Sequence, residues 1–143
     1  MSAAVSGAVR VRHGLLLTGG GGALGALLRW GLGILLPTGD GFPWTTLAVN
    51  VSGSALLAAL PLLSLVHSRP WLPLLLGTGL LGGFTTMSTF SVETVTLADS
   101  GHLGLATGYV AATVVGSVAA VAVVDRWTSA PARVEVDLLE GDE

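Results

Sequence analysis

The stretch LLGGFTTMSTFSVETVTL, Leu80 to Leu97, is apolar enough to sit in a membrane, yet it opens with two glycines and then sets five hydroxyl side chains within seven residues. Gly82 and Gly83 weaken a helix, and Thr85 and Thr86 are β-branched. A helix interrupted in hydrocarbon strands amides and carbonyls that something inside the protein must satisfy. Hydroxyls can serve both kinds of group, and a bound cation can serve outward-pointing carbonyls, as in transporters that place unwound backbone on an ion at the membrane midplane. The composition shows that a helix can break at Gly82 to Thr85.

Two further segments carry polar residues in register. Thr46, Asn50 and Ser54 stand at i, i+4 and i+8, and Tyr109, Thr113 and Ser117 repeat that spacing, so each set lines one helix face. Such lines serve either as interhelical hydrogen-bonding glue or as the wall of a shared polar path. Arg29 falls inside or near the end of an apolar stretch, where a charge faces water, meets a partner or snorkels to the interface. Glu93 is the one acid inside the apolar stretches.

Other motifs lack the context that their chemistry needs. GGGALG, Gly20 to Gly25, fits G-x-G-x-x-G with Asp40 about 20 residues on, but no alternating strands and helices follow, as a dinucleotide site requires. Close helix packing explains it better: Gly21 and Gly25 form a small-xxx-small pair, as do Gly104 and Gly108. Asn50-Val51-Ser52 is a formal glycosylation site inside an apolar span, out of reach of modification. His13, His67 and His102 stand singly, without metal-ligand spacing, and no nucleophile, base and orienting group converge. No enzyme is expected.

The elements that would position these residues follow from composition. The chain has 143 residues, 10% charged and 51% apolar, against about 25% charged in a typical soluble domain. Its mean hydropathy is +0.77. These values describe one integral membrane domain. There are no cysteines, which excludes disulfides and thiolate metal sites, and no basic stretch invites nucleic acid. Five of the nine acids (Glu135, Asp137, Glu140, Asp142 and Glu143) lie in the last nine residues, so residues 127–143 read as a solvated acidic tail. A spanning helix needs about 20 apolar residues. Four segments qualify, about Gly14–Leu36, Trp44–Val66, Trp71–Leu97 and Leu103–Val124, with Trp44, Trp71 and Trp127 at the ends where indole rings favour the interface. The expected organisation is an N-terminal tail, 1–13, and a four-helix unit, 14–126, before the acidic tail. The expected fold is all-α, with four transmembrane helices and the third one broken.

Four quoted segments, GGGGALGALLRW, PWTTLAVNVSGS, GTGLLGGFTTMSTFSVE and the later Tyr109, Thr113, Ser117 series, resemble the four helices of the bacterial fluoride channels called Fluc or CrcB, in order and spacing over roughly residues 14–124. The resemblance implies a dimer of oppositely oriented subunits, two fluoride pores at their interface and a central structural sodium ion. It implies sodium held by the main-chain carbonyls of Gly82 and Thr85. It implies a fluoride path past Asn50, the aromatic position Phe90 and a track of Tyr109, Thr113 and Ser117, with Thr46 along the way and Arg29 drawing anions into a vestibule. Met87 departs from the family, which usually has phenylalanine there. Methionine fills space but has no positive ring edge to offer an anion.

The implied function is passive efflux of fluoride across the cell membrane by a multi-pass channel. A small four-helix proton-coupled multidrug transporter would want a carboxylate deep in a span, and Glu93 fits that poorly. A non-conducting assembly subunit would not need the two polar lines. Of six arginines, Arg10, Arg12, Arg69, Arg126 and Arg133 fall on one side of the four-span arrangement and none in the opposite loops, with Arg29 set apart. Positive charge stays in the cytoplasm, so both termini are expected inside. That bias leaves two partners open: a homodimer, or a heterodimer with an oppositely oriented homologous subunit.

Overall fold

A computed structural model describes residues 2–38 and 41–140, with side chains over 11–38 and 41–127. Helix α1 runs Ser2–Leu35 and α2 runs Trp44–Ala59, tightening into a 3₁₀ turn over Leu60–Leu62. A short α3 covers Ser64–Ser68. Next come a wide π-helical segment, Pro73–Leu81, a single turn α4, Gly82–Phe84, and α5, Met87–Asp99. Helix α6 runs Leu103–Glu140. No strand occurs among the described residues. Helical backbone thus continues into residues 2–13 and 127–140, which composition sets apart as tails. The acidic side chains of Glu135 to Glu143 lie outside the described ones.

Three helices are long and apolar enough to cross a membrane, Val11–Leu35, Trp44–Leu62 and Leu103–Trp127. The second stops short of the expected Val66. Pro61 has no N–H to continue the ladder, and Leu63 is already extended. The expected third span is not one continuous helix. Its break also lies later than glycine content suggests. Gly82 has helical angles (φ −64°, ψ −33°), whereas Thr85 (φ −69°, ψ 155°) and Thr86 (φ −144°, ψ 122°) are extended.

The glycines instead set how closely the chain packs. Helix α1 lies along the π segment and α4, α2 lies against α6, and α5 against α6. A Cβ at Gly21 would run into the Leu75 carbonyl, one at Gly25 into the Leu80 carbonyl and the Phe84 nitrogen, and one at Gly83 into the Gly22 carbonyl. Main chains therefore touch here, as the Gly21/Gly25 pair implies. The Gly104/Gly108 pair does not behave this way. It lies on the exposed side of α6, with nothing within 4 Å of either added Cβ.

A tight turn joins α5 to α6. Gly101 has φ +80°, a left-handed conformation suited to glycine, and the His102 amide closes on the Leu97 carbonyl at 2.9 Å. This brings Leu97, Ala106 and Tyr109 into a buried cluster with Phe42, Leu47 and Phe90 around it. Most other large apolar side chains point outward, including Trp44, Trp71 and Trp127 at the helix ends. Helices apolar on every face belong in lipid or against a partner.

Gly25→Val forces a branched side chain into the main chain of the π segment and α4. It should destabilise the fold by at least about 1–3 kcal/mol, the usual cost of overpacking. Thermal unfolding in detergent should show a marked fall for Gly25→Val and little change for Gly104→Ala.

Candidate functional site

The break in the helix is held by a side chain from another helix. The Asn50 Nδ2 group on α2 donates to the Thr86 carbonyl at 2.9 Å, and the Thr86 amide donates to Asn50 Oδ1 at 2.8 Å. In an unbroken helix that amide would close on the Gly82 carbonyl. Thr86 Oγ1 meanwhile caps α5, accepting from the Thr89 amide at 3.1 Å. That amide would otherwise serve the Thr85 carbonyl. Gly82 and Thr85, the two residues implied as sodium ligands, thus lose their helical donors to Asn50 and to the Thr86 hydroxyl. Upstream, the Thr85 amide and hydroxyl both donate to the Leu81 carbonyl at 3.0 Å.

A groove of about 650 Å³ opens beside this break. Asn50, Ser54, Gly82, Thr85, Thr86, Met87, Phe90, Thr113 and Ser117 all line it. Most of the expected path residues therefore share one surface. Met87 stands 75% exposed there. Thr113 Oγ1 is buried with no hydrogen-bond partner among the described residues, a condition that normally costs stability. Ser54 Oγ is committed to the Asn50 carbonyl at 2.8 Å.

Three expected residues lie elsewhere. Tyr109 is fully buried, packed against Phe90 (ring centroids 5.1 Å apart) and edge-on to Phe42 (5.5 Å, 83°). It does not line the groove with Thr113 and Ser117, because its ring fills the α5–α6 cluster. Its hydroxyl donates to Glu93 Oε2 at 2.7 Å, and Thr46 Oγ1 donates to Glu93 Oε1 at 2.9 Å. Thr46 and Arg29 line a second cavity, about 360 Å³, together with Glu93, Thr86 and Thr89. Arg29 Nε reaches the Gly83 carbonyl at 3.5 Å. Thr86 borders both cavities, so the residue clamped by Asn50 stands between the groove and the arginine-bearing cavity.

Sequence reasoning missed two parts of this site. It left Glu93 without a role, although a lone acid in an apolar span signals a carboxylate that needs donors. It also left Thr86 out. Only its β-branching marks Thr86 locally, because its partner is 36 residues away. No group of three or more His, Cys, Asp or Glu side chains that could hold a metal occurs among the described residues, so a cation here would depend on neutral oxygens.

Spanning helices, outward apolar side chains and a polar-edged break define a multi-pass α-helical membrane protein. Residues 16–124 match the model of the family described as "CrcB-like protein, Camphor Resistance (CrcB)", and the chain belongs to that family. Relatives include proteins named "Fluoride-specific ion channel FluC" from Bordetella bronchiseptica (44% identical over 108 residues, 73% of this chain and 82% of the relative). The protein of that name from Agrobacterium fabrum is 42% identical over 111 residues, covering 75% of this chain and 89% of its own. "Fluoride-specific ion channel FluC 2" of Bacillus subtilis is 50% identical over 99 residues, 68% of this chain and 74% of its own. The family is one of ion channels, not enzymes.

Tyr109→Phe removes one of the two donors to Glu93 while keeping the packed ring. It should lower stability by about 1–3 kcal/mol, the range for a hydrogen bond to an ionisable group. Thermal unfolding in detergent should show a larger drop for Tyr109→Phe than for Thr107→Ala, whose exposed hydroxyl returns only to its own helix.

Proposed function

We propose that the chain is a subunit of a fluoride-specific channel that lowers cytoplasmic fluoride by passive efflux across the cell membrane. The observation that carries this is the position of Thr86, between a hydroxyl-edged groove and the Arg29 cavity, in a chain similar to proteins named as fluoride channels. Fluoride is small and strongly hydrated, so a pore must replace its water with donors. The unpartnered Thr113 hydroxyl and the second hydrogen of Asn50 Nδ2 are such donors. Phe90 offers the positive edge of its ring without a formal charge, and Met87 offers none. Several weak sites let an ion leave where one strong cationic site would hold it. Arg29, set back at Gly83, attracts anions to the vestibule rather than binding them in the groove, and Thr46 holds Glu93 beside it. Tyr109 acts from behind, backing Phe90.

The path ends in an assembly of two subunits. The groove is open on one side and Met87 is exposed, so a second, oppositely oriented copy or homologue would close it. Sodium at that junction would be held by the carbonyls of Gly82 and Thr85. Hard neutral oxygens freed from the helix ladder suit such a cation, and its role there is structural. Five arginines on one side and none on the other favour a single orientation for this chain, hence a homologous partner of opposite orientation over a homodimer.

Vesicles loaded with fluoride or chloride test the channel. Electrode-detected efflux should be fast for fluoride and near background for chloride, and should fall when sodium is exhaustively replaced by a bulky organic cation. Comparable rates for both anions reject the proposal, and indifference to sodium rejects the sodium site. Phe90→Ala and Thr113→Val should each cut fluoride flux by about tenfold or more, a loss of about 1.4 kcal/mol. Thr113→Val should do so without loss of thermal stability, since it removes an unsatisfied hydroxyl.

Paired cytoplasmic and periplasmic reporters on the C-terminus test the orientation. The cytoplasmic reporter alone should respond. Equal responses, with fluoride conduction by the lone chain, would establish the homodimer instead.

A further inference from the structure

We infer that Asn50 is a positioning residue that selects the broken state of the α4–α5 helix, and that its carboxamide acts on the main chain of Thr86 before it acts on any ion. The two hydrogen bonds, 2.9 and 2.8 Å, go to the carbonyl and the amide of one and the same residue. An extended residue presents its N–H and C=O to the same side, as the hydrogen-bonded pairs of an antiparallel sheet do. A helical residue points them in opposite directions along the axis. The Asn50 side chain therefore imitates a neighbouring strand, and it can grip Thr86 only at extended angles such as the observed φ −144°, ψ 122°.

The local sequence gives this grip something to oppose. Gly82 and Gly83 already have helical neighbours, and α5 resumes one residue after Thr86. Without Asn50, the Thr86 amide is free to return to the Gly82 carbonyl and close the helix through the gap. Closure would turn the Gly82 carbonyl inward and shift Met87 and Phe90 relative to the groove. Asn50 thus sets the geometry of the break on both of its sides, since Thr86 borders both cavities. This function rests on the fluoride-channel reading only in its consequence for flux. The conformational claim stands apart from it.

Solid-state NMR of threonine-labelled protein in lipid bilayers reads Thr86 directly, because extended and helical threonines differ in their Cα and Cβ chemical shifts. The wild-type Thr86 should be extended. In Asn50→Leu its Cα should move downfield and its Cβ upfield, to helical values, with loss of fluoride efflux. Asn50→Asp supplies the second arm, and suffices if the leucine variant does not fold. A protonated Asp side chain can accept from the Thr86 amide and donate to its carbonyl, restoring both bonds. The carboxylate can only accept. Thr86 in this variant should therefore be extended at acid pH and leave those values as pH rises. Arg29 and Glu93 share the adjoining cavity, so wild-type spectra over the same pH range must stay constant. Extended shifts in Asn50→Leu, or in Asn50→Asp at a pH where infrared spectroscopy shows its carboxyl ionised, would overturn the inference whatever happens to flux. Helical shifts on Asn50 substitution with fluoride flux retained would uphold the positioning role and reject the channel reading of the break.

Discussion

Everything around the site depends on one constraint: in hydrocarbon, main-chain polar groups must find partners inside the protein. An interrupted helix violates that rule at several groups at once. Each buried group left unsatisfied would cost about 1–3 kcal/mol. This protein meets the demand with a side chain that has the hydrogen-bonding pattern of a peptide. Asn50 satisfies both the amide and the carbonyl of Thr86, while the Thr86 hydroxyl starts α5 and the Thr85 hydroxyl closes the helix before it. The carbonyls of Gly82 and Thr85 are among those that lose their helical donors at the break, and both residues line the groove.

The same accounting separates structural hydroxyls from available ones. Ser91, Thr94 and Thr96 each donate to the carbonyl four residues back, at 2.8, 2.7 and 2.9 Å, so they satisfy themselves within α5. Ser54 does the same on α2. Thr113 does not: its buried Oγ1 has no hydrogen-bond partner among the described residues. Glu93 is an acceptor that Thr46 and Tyr109 supply from two different helices, linking α2, α5 and α6 at the end where the aromatic cluster packs.

Close packing of α1 is the other support. Gly21, Gly22 and Gly25 let α1 lie on the π segment and α4 with main chains in contact. That approach brings Arg29 to the Gly83 carbonyl, at the edge of the break. A Cβ at Gly21 or Gly25 would overlap main-chain atoms of that face, so a side chain there would push α1, and Arg29 with it, away from the break. The π-helical widening at Pro73–Leu81 occurs along the same contact, with Gly79 against the Thr18 carbonyl and Gly21.

The sequence by itself determined the class of the protein. Ten per cent charge, long apolar runs and tryptophans at their ends leave no soluble fold to consider. It also set Asn50 and Ser54 on one helix face and Thr113 and Ser117 on another, because helical periodicity is a local property that survives without knowledge of neighbours, whereas Phe90 entered only through the family resemblance. It placed the break at Gly82 to Thr85 by propensity, a span that meets the extended residues Thr85 and Thr86 only at its end, since Gly82 and Gly83 are helical. Propensity reports what a residue tolerates on its own. The position of the break was decided by Asn50, which stands 36 residues away, and the use of Gly83 by contact with Gly22 on α1. Tyr109 was likewise assigned to the Thr113 and Ser117 line by spacing, yet its length carries the ring past the groove into the α5–α6 core and its hydroxyl to Glu93. Spacing fixes where a Cβ points. Which cavity a long side chain enters depends on the neighbours that fill the others, and only the tertiary structure supplies them.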